Sequence, residues 1–196
     1  MTAINTATLR IDDVFCTASG AKIARICDGD APLVLMTDTL RSPFNAGTFD
    51  RDPTATRLNL QLAVDNESLL QTLQGFDSWV VEYLAQHSER IFKRNLSREQ
   101  VQLGYTSVLR QPAKEGHSPL LRVKLDTENR YAVCCWDQSG EGIAPPDNWA
   151  GLYLQPRLHF SHLWIMGSQF GVVVRLTDAK ILGGSSAPAM RTCPFQ

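Results

Sequence analysis

Several things are missing from this 196-residue chain, and each absence removes a class of function. No apolar run approaches the roughly 20 residues needed to cross a bilayer, so no membrane span is expected. The start, "MTAINTATLRIDDVF", has neither a basic stretch nor an apolar core, and is not expected to act as a secretory signal. Cysteines number five, at Cys16, Cys27, Cys134, Cys135 and Cys193; the count is odd and the spacing forms neither a disulfide framework nor a metal-ligand set. A reducing compartment, cytoplasmic or nuclear, follows as an expectation. Phosphate-binding loops, dinucleotide fingerprints and nucleophile elbows are all lacking, so neither a cofactor nor a bound metal is expected. Four histidines are too few and too scattered for a metal centre: His159 and His162, three apart on a strand, face opposite sides. Asp12-Asp13 and Asp28/Asp30 occupy turn positions, and adjacent Cys134 and Cys135 cannot jointly clasp an ion. No enzyme is expected.

What is present reads as mainly β. Apolar content of 43% and charged content of 20% are those of an ordinary globular domain. Short apolar runs at "TLRIDDVFC", "AKIARIC" and "APLVLMT" are separated by turn signals. Leu40 to Thr56 should be a long loop, and loops of that length are often functional. "RLNLQLAV" then alternates, with Leu58, Leu60 and Leu62 on one side. Asp65-Asn66 provides an N-cap for a helix of about six turns whose apolar residues, Leu69 through Leu84, recur every three or four positions. Ser97 and Gln100 have capping-box spacing and open a short companion helix that ends near Gly104. Strands resume over Pro119–Leu125 and Arg130–Trp136. The most regular stretch is "PRLHFSHLWIMGSQFGVVVRLTDAKI", which predicts an antiparallel hairpin about the turn Gly167-Ser168-Gln169. In its second strand Phe170, Val172, Val174 and Leu176 should face inward, and Gly171, Val173, Arg175 and Thr177 outward. The expected architecture is a single OB-fold-like β-barrel of antiparallel strands over 1–182, with a helical insertion at about 66–104, followed by a mobile C-terminal tail over 183–196.

Charge is uneven. Ser88 to Lys124 carries eight basic residues (Arg90, Lys93, Arg94, Arg98, Arg110, Lys114, Arg122, Lys124) against three acids, a net +5 within a chain of net −1. Arg90 in that segment is one binding candidate; Arg122 and Lys124 share one strand face, Tyr131 is expected on the neighbouring strand, and Arg157, Trp164 and Arg175 stand on the hairpin. Bases interleaved with flat aromatics on a sheet are a general solution for holding single-stranded nucleic acid.

Two segments carry a family likeness: "FKRNLSREQVQLGYTSVLRQPAKEGHSPLLRVKL" (Phe92 to Leu125) and "LWIMGSQFGVVVRLTDAKI" (Leu163 to Ile181). Together they resemble the OB-fold single-stranded DNA-binding proteins of large DNA viruses of algae and protists, themselves similar to the short-tailed-phage type. The resemblance spans roughly Leu58 to Ile181. It implies sequence-nonspecific binding of single-stranded DNA in replication, recombination or repair, with Phe92, Lys93, Arg94, Arg122 and Lys124 on the binding surface. Trp164, Phe170 and Gly171 match the hairpin motif as fold determinants. The phage-type relatives end in an acidic tail with a terminal aromatic; here "AMRTCPFQ" has Phe195 but no acid. Replication proteins are the further partners implied. The competing reading is a non-enzymatic interaction or virion-structural module on the same scaffold, with the long helix as a homodimer face.

Overall fold

The computed structural model describes residues 4–48, 52, 54–112 and 115–184. Lys114 and the expected tail beyond 184 lie outside the described residues. Six strands come first: β1 (Leu9–Ile11), β2 (Phe15–Cys16), β3 (Lys22–Asp28), β4 (Ala31–Pro32), β5 (Val34–Met36) and β6 (Leu40–Arg41). After the long loop comes β7 (Arg57–Ala63), then helices α1 (Glu67–Gln86), α2 (Ser88–Phe92) and α3 (Arg98–Gly104). The remaining strands are β8 (Tyr105–Thr106), β9 (Leu109–Arg110), β10 (Leu120–Asp126), β11 (Cys134–Trp136), β12 (Gly142–Ile143), β13 (Leu152–Met166) and β14 (Gln169–Gly184).

The helical region departs from expectation in number and agrees in its caps. Asn66 accepts from the Leu69 amide, and Ser97 and Gln100 form the reciprocal capping box. Among the described residues three α-helices are present, because the first breaks at His87 and a short α2 follows before Lys93 ends it in the left-handed region, at φ 60°. The long helix buries Leu69, Leu73, Phe76, Val80, Val81 and Leu84, and Phe76 meets Phe160 of β13 edge-on at 4.6 Å between ring centres.

The hairpin is longer than predicted, and its turn is tighter. Met166 pairs with Gln169, so only Gly167 and Ser168 form the loop, with Gly167 at φ 62° as a type II′ connection requires. Strand β13 also runs through Pro156, beside a register shift at Arg157/Leu158, where a residue without an N–H is tolerated. Phe170, Val174 and Leu176 are buried and Val172 is half-buried, as the alternation implies. The alternation then slips. Leu158 pairs with Leu176 but Arg157 with Asp178, and Ala179 becomes the next inward residue.

Ladders connect β13 to β6, β6 to β7, β7 to β10, β10 to β14, and β14 back to β13. The circuit therefore returns on itself, yet β6–β7 and β10–β14 are each joined by one residue pair, short of a cleanly closed barrel. The sheet is not wholly antiparallel either: β14 runs parallel to β8, β10 and β11. Arg130 to Trp136 is not one strand, because Asn129–Tyr131 forms a 3-10 turn and only Cys134–Trp136 extends.

Two glycines are required by close approach. A Cβ on Gly104 would lie 2.5 Å from the Ser168 carbonyl oxygen, and one on Gly171 would lie 2.8 Å from that of Thr106. The Phe76–Phe160 contact makes one strong demand on stability. Phe160→Ala should lower the unfolding free energy in urea melts by about 3–5 kcal/mol, whereas its half-buried neighbour His159→Ala should cost under about 1 kcal/mol. Equal losses would contradict the inward assignment of Phe160.

Candidate functional site

Alternation on β7 and β10 builds the site. Leu121, Val123 and Leu125 point into the core together with Leu60 and Leu62, so Arg122 and Lys124 must point out, opposite Gln61 and Asn59. Lys124 also pairs across the parallel seam with Arg175 of β14. Next to this row lies a cleft of about 420 Å³ lined by Asn59, Arg122, Lys124, Trp164, Met166 and Val173. Trp164 is half-buried and sits opposite Gly171 on the hairpin. A Cβ on Gly171 would come within 3.0 Å of the indole, so the ring packs directly against bare backbone while the side chain borders the cleft.

The cations are held in place. Arg122 donates to the Ser107 carbonyl at 2.7 Å, and Lys124 donates to Asn59 Oδ1. The Ser107 segment is anchored by Asp77 of α1, whose carboxylate accepts from the Tyr105 hydroxyl, the Ser107 hydroxyl and, at 3.3 Å, the Val108 amide. Burial raises the Asp77 pKa above the usual carboxylate range, against those hydrogen bonds. Lys124 is shifted down, first by burial and then by the charges of Arg57 and Arg122. That second cause reports a locally positive field.

Along the same face, Asp126, only 8% exposed at its side chain, binds Arg175 at 3.0 Å and Arg57 at 3.3 Å. Arg175 is itself 13% exposed at its side chain and lies 4.8 Å from the Tyr131 ring centre, as does Arg130. Sequence alternation placed Arg175 on the wet face. The buried Asp126 carboxylate instead draws it inward, since an uncompensated charge at that depth would be costly. Tyr131, 51% exposed, is carried by the 3-10 turn and not by a strand. Phe15, Arg25, His159 and His162 line an adjoining cleft of about 640 Å³ with Tyr131 and Arg175.

The other expected site residues are placed elsewhere. Arg90 binds Asp13 at 2.7 Å and the Ile11 carbonyl at 2.9 Å, tying α2 to the first strands. Phe92 packs on Phe170 at 4.8 Å. Lys93 and Arg94 are exposed at the end of α2 and do not border the cleft. Arg157 pairs with Asp178 at 3.3 Å. Of the ten expected residues, Arg122, Lys124 and Trp164 share the cleft, with Arg175 and Tyr131 beside it. Asn59 and Arg57 were missed, although their alternation with Leu58 and Leu60 was visible.

Cysteine chemistry finds no support in this geometry. Cys135 is buried, with its thiol pushed up to about 11 by burial first, and Cys134 is exposed on the opposite face. Among the described residues no group of three potential metal ligands occurs, and no helix is long and apolar enough to cross a membrane.

No protein-family model matches the chain, and no curated protein matches it in sequence. Solved structures share its fold. The single-stranded DNA-binding protein gp2.5 of bacteriophage T7 superimposes with a TM-score of 0.52 at 8% identity, over 82% of this chain and 97% of that one. The single-stranded DNA-binding protein of bacteriophage Enc34, solved in complex with single-stranded DNA, gives 0.50 at 7% identity, over 96% and 98%. At these identities the likeness is one of fold.

The burial of His162 has a measurable consequence. Its pKa is lowered to about 4, first by burial and then by Arg175, Arg57 and His159. Between about 4 and the ordinary histidine range, the unfolded chain binds a proton that the folded one refuses, so stability falls as pH drops through that window. Thermal melts at neutral pH and at the lower end of the window should show a larger drop for the parent than for His162→Gln. Identical drops would mean that the ring is charged in the folded state.

Proposed function

We propose that the chain binds single-stranded DNA through the Trp164 cleft, without strong sequence preference. One observation carries the reading: an indole backed by Gly171 shares a cleft with Arg122 and Lys124, two cations held by neutral oxygens and not by carboxylates. The cations supply phosphate contacts and the ring supplies a stacking surface that any base satisfies. The returning circuit of five strands, with its parallel β10–β14 seam, supports reading the scaffold as an OB barrel with the helices inserted between its second and third strands. The fold shared with the T7 and Enc34 proteins points the same way. A role in replication, recombination or repair at an intracellular site belongs to this reading, as do a viral origin of the kind the sequence resembles and replication proteins or a second copy as partners. No catalytic step is assigned to the chain.

Fluorescence titration with oligo-dT and with duplex of equal length, across a salt series, tests this directly. Single strands should bind more tightly, with affinity falling as salt rises. Arg122→Ala with Lys124→Ala should flatten the log K against log salt slope by about 1.4, since each phosphate contact on a single strand contributes about 0.7. Trp164→Leu should weaken binding by about tenfold, and Trp164→Phe should restore most of it. Equal binding of both nucleic acids, or no salt dependence, would remove the reading.

A further inference from the structure

A second cleft opens one row further along the same sheet face. Arg41 stands opposite Ala63, Ala63 opposite Leu120, and Leu120 opposite Arg110, so β6, β7, β10 and β9 present four side chains in a line. Strands lie about 4.8 Å apart, which puts the two arginine backbones about 14 Å from each other. Between them Ala63 and Leu120 make an apolar floor, and Phe44, 54% exposed, stands at the wall. The cleft measures about 790 Å³. None of its described lining residues is acidic, and neither arginine has a carboxylate partner among the described residues. Such a lining suits an anion that also carries a flat apolar surface.

The spacing connects this cleft to the first. Gln61 opposite Arg122 forms the next row and Asn59 opposite Lys124 the one after. Rows two residues apart on a strand are about 7 Å apart, of the order of one extended nucleotide. Each row carries at least one cation on the outer face. A strand lying on Arg122 and Lys124 therefore points along β7 and β10 toward Phe44.

We propose that this cleft is a second nucleotide subsite, in which one base stacks on Phe44 while Arg41 and Arg110 engage the backbone phosphates from opposite walls. The proposal rests on DNA binding at the Trp164 cleft and extends the path of the same strand. The sequence loop Leu40 to Thr56 thereby gains a task through its first residues.

The full chain should be titrated with oligo-dT of about 2 and about 16 nucleotides; at about 7 Å per row the shorter cannot span from the Lys124 row to the Phe44 cleft. Phe44→Ala should weaken binding of the longer oligomer about tenfold and leave the shorter within about twofold. Arg41→Ala with Arg110→Ala should lower the salt slope for the longer oligomer by about 1.4. Phe44 is exposed, so the melting temperature of Phe44→Ala should match the parent, which separates lost stacking from lost fold. Variants that bind the longer oligomer like the parent would overturn the subsite while leaving the Trp164 reading intact. Equal losses on both lengths would also overturn it, placing the effect at the first cleft. A parent that binds neither oligomer would sink both proposals together.

Discussion

Everything on the outer face of this protein depends on the pairing of β13 with β14. Fourteen residue pairs join the two strands, from Leu152 opposite Gly184 to Met166 opposite Gln169. A strand sends successive side chains to opposite sides, so once Phe160, Leu163, Phe170 and Val174 are committed to the core, Trp164 and Val173 have only the other side to occupy. The same constraint on β10, imposed by Leu121, Val123 and Leu125, directs Arg122 and Lys124 to the adjacent ground. The cleft is a by-product of packing on its reverse side.

The parts that could be read in the sequence were those governed by local periodicity. The long helix with its Asn66 cap, the capping box at Ser97, the hairpin and its inward residues all follow from spacing alone. What escaped was set by contacts between distant segments. Arg175 alternates outward, yet Asp126, 49 positions away, pulls it under the surface. Tyr131 sits in an apolar run that reads as strand, but the left-handed Asn129, at φ 67°, turns the chain before any ladder can form. The segment from Ser88 to Lys124 reads as basic in the sequence, yet its Arg90 and Phe92 are bound to Asp13 and Phe170. Arg41 and Phe44 had no local signature, because only the pairing of β6 with β7 brings them alongside Leu120.

Charge on this protein is organised by depth and not by total. The net charge of −1 hides a face where burial, and after it the crowding of arginines and a lysine, depresses the affinity of Lys124 and Arg175 for protons. Asp126 is the counterweight. By holding Arg57 and Arg175 from below, it keeps two positive groups near the surface without leaving them unpaired when no anion is bound.

The thin seam between β6 and β7 gives the surface a mechanical character. One residue pair, Arg41 with Ala63, joins these strands, whereas β7 and β10 share seven pairs and the hairpin fourteen. Deformation concentrates where the fewest hydrogen bonds must stretch, so the circuit is compliant at its two thin seams, at Arg41 and at the Lys124–Arg175 pair. The seam at Arg41 forms one wall of the Phe44 cleft. The width of the cleft can therefore change at small enthalpic cost, admitting large and small rings alike.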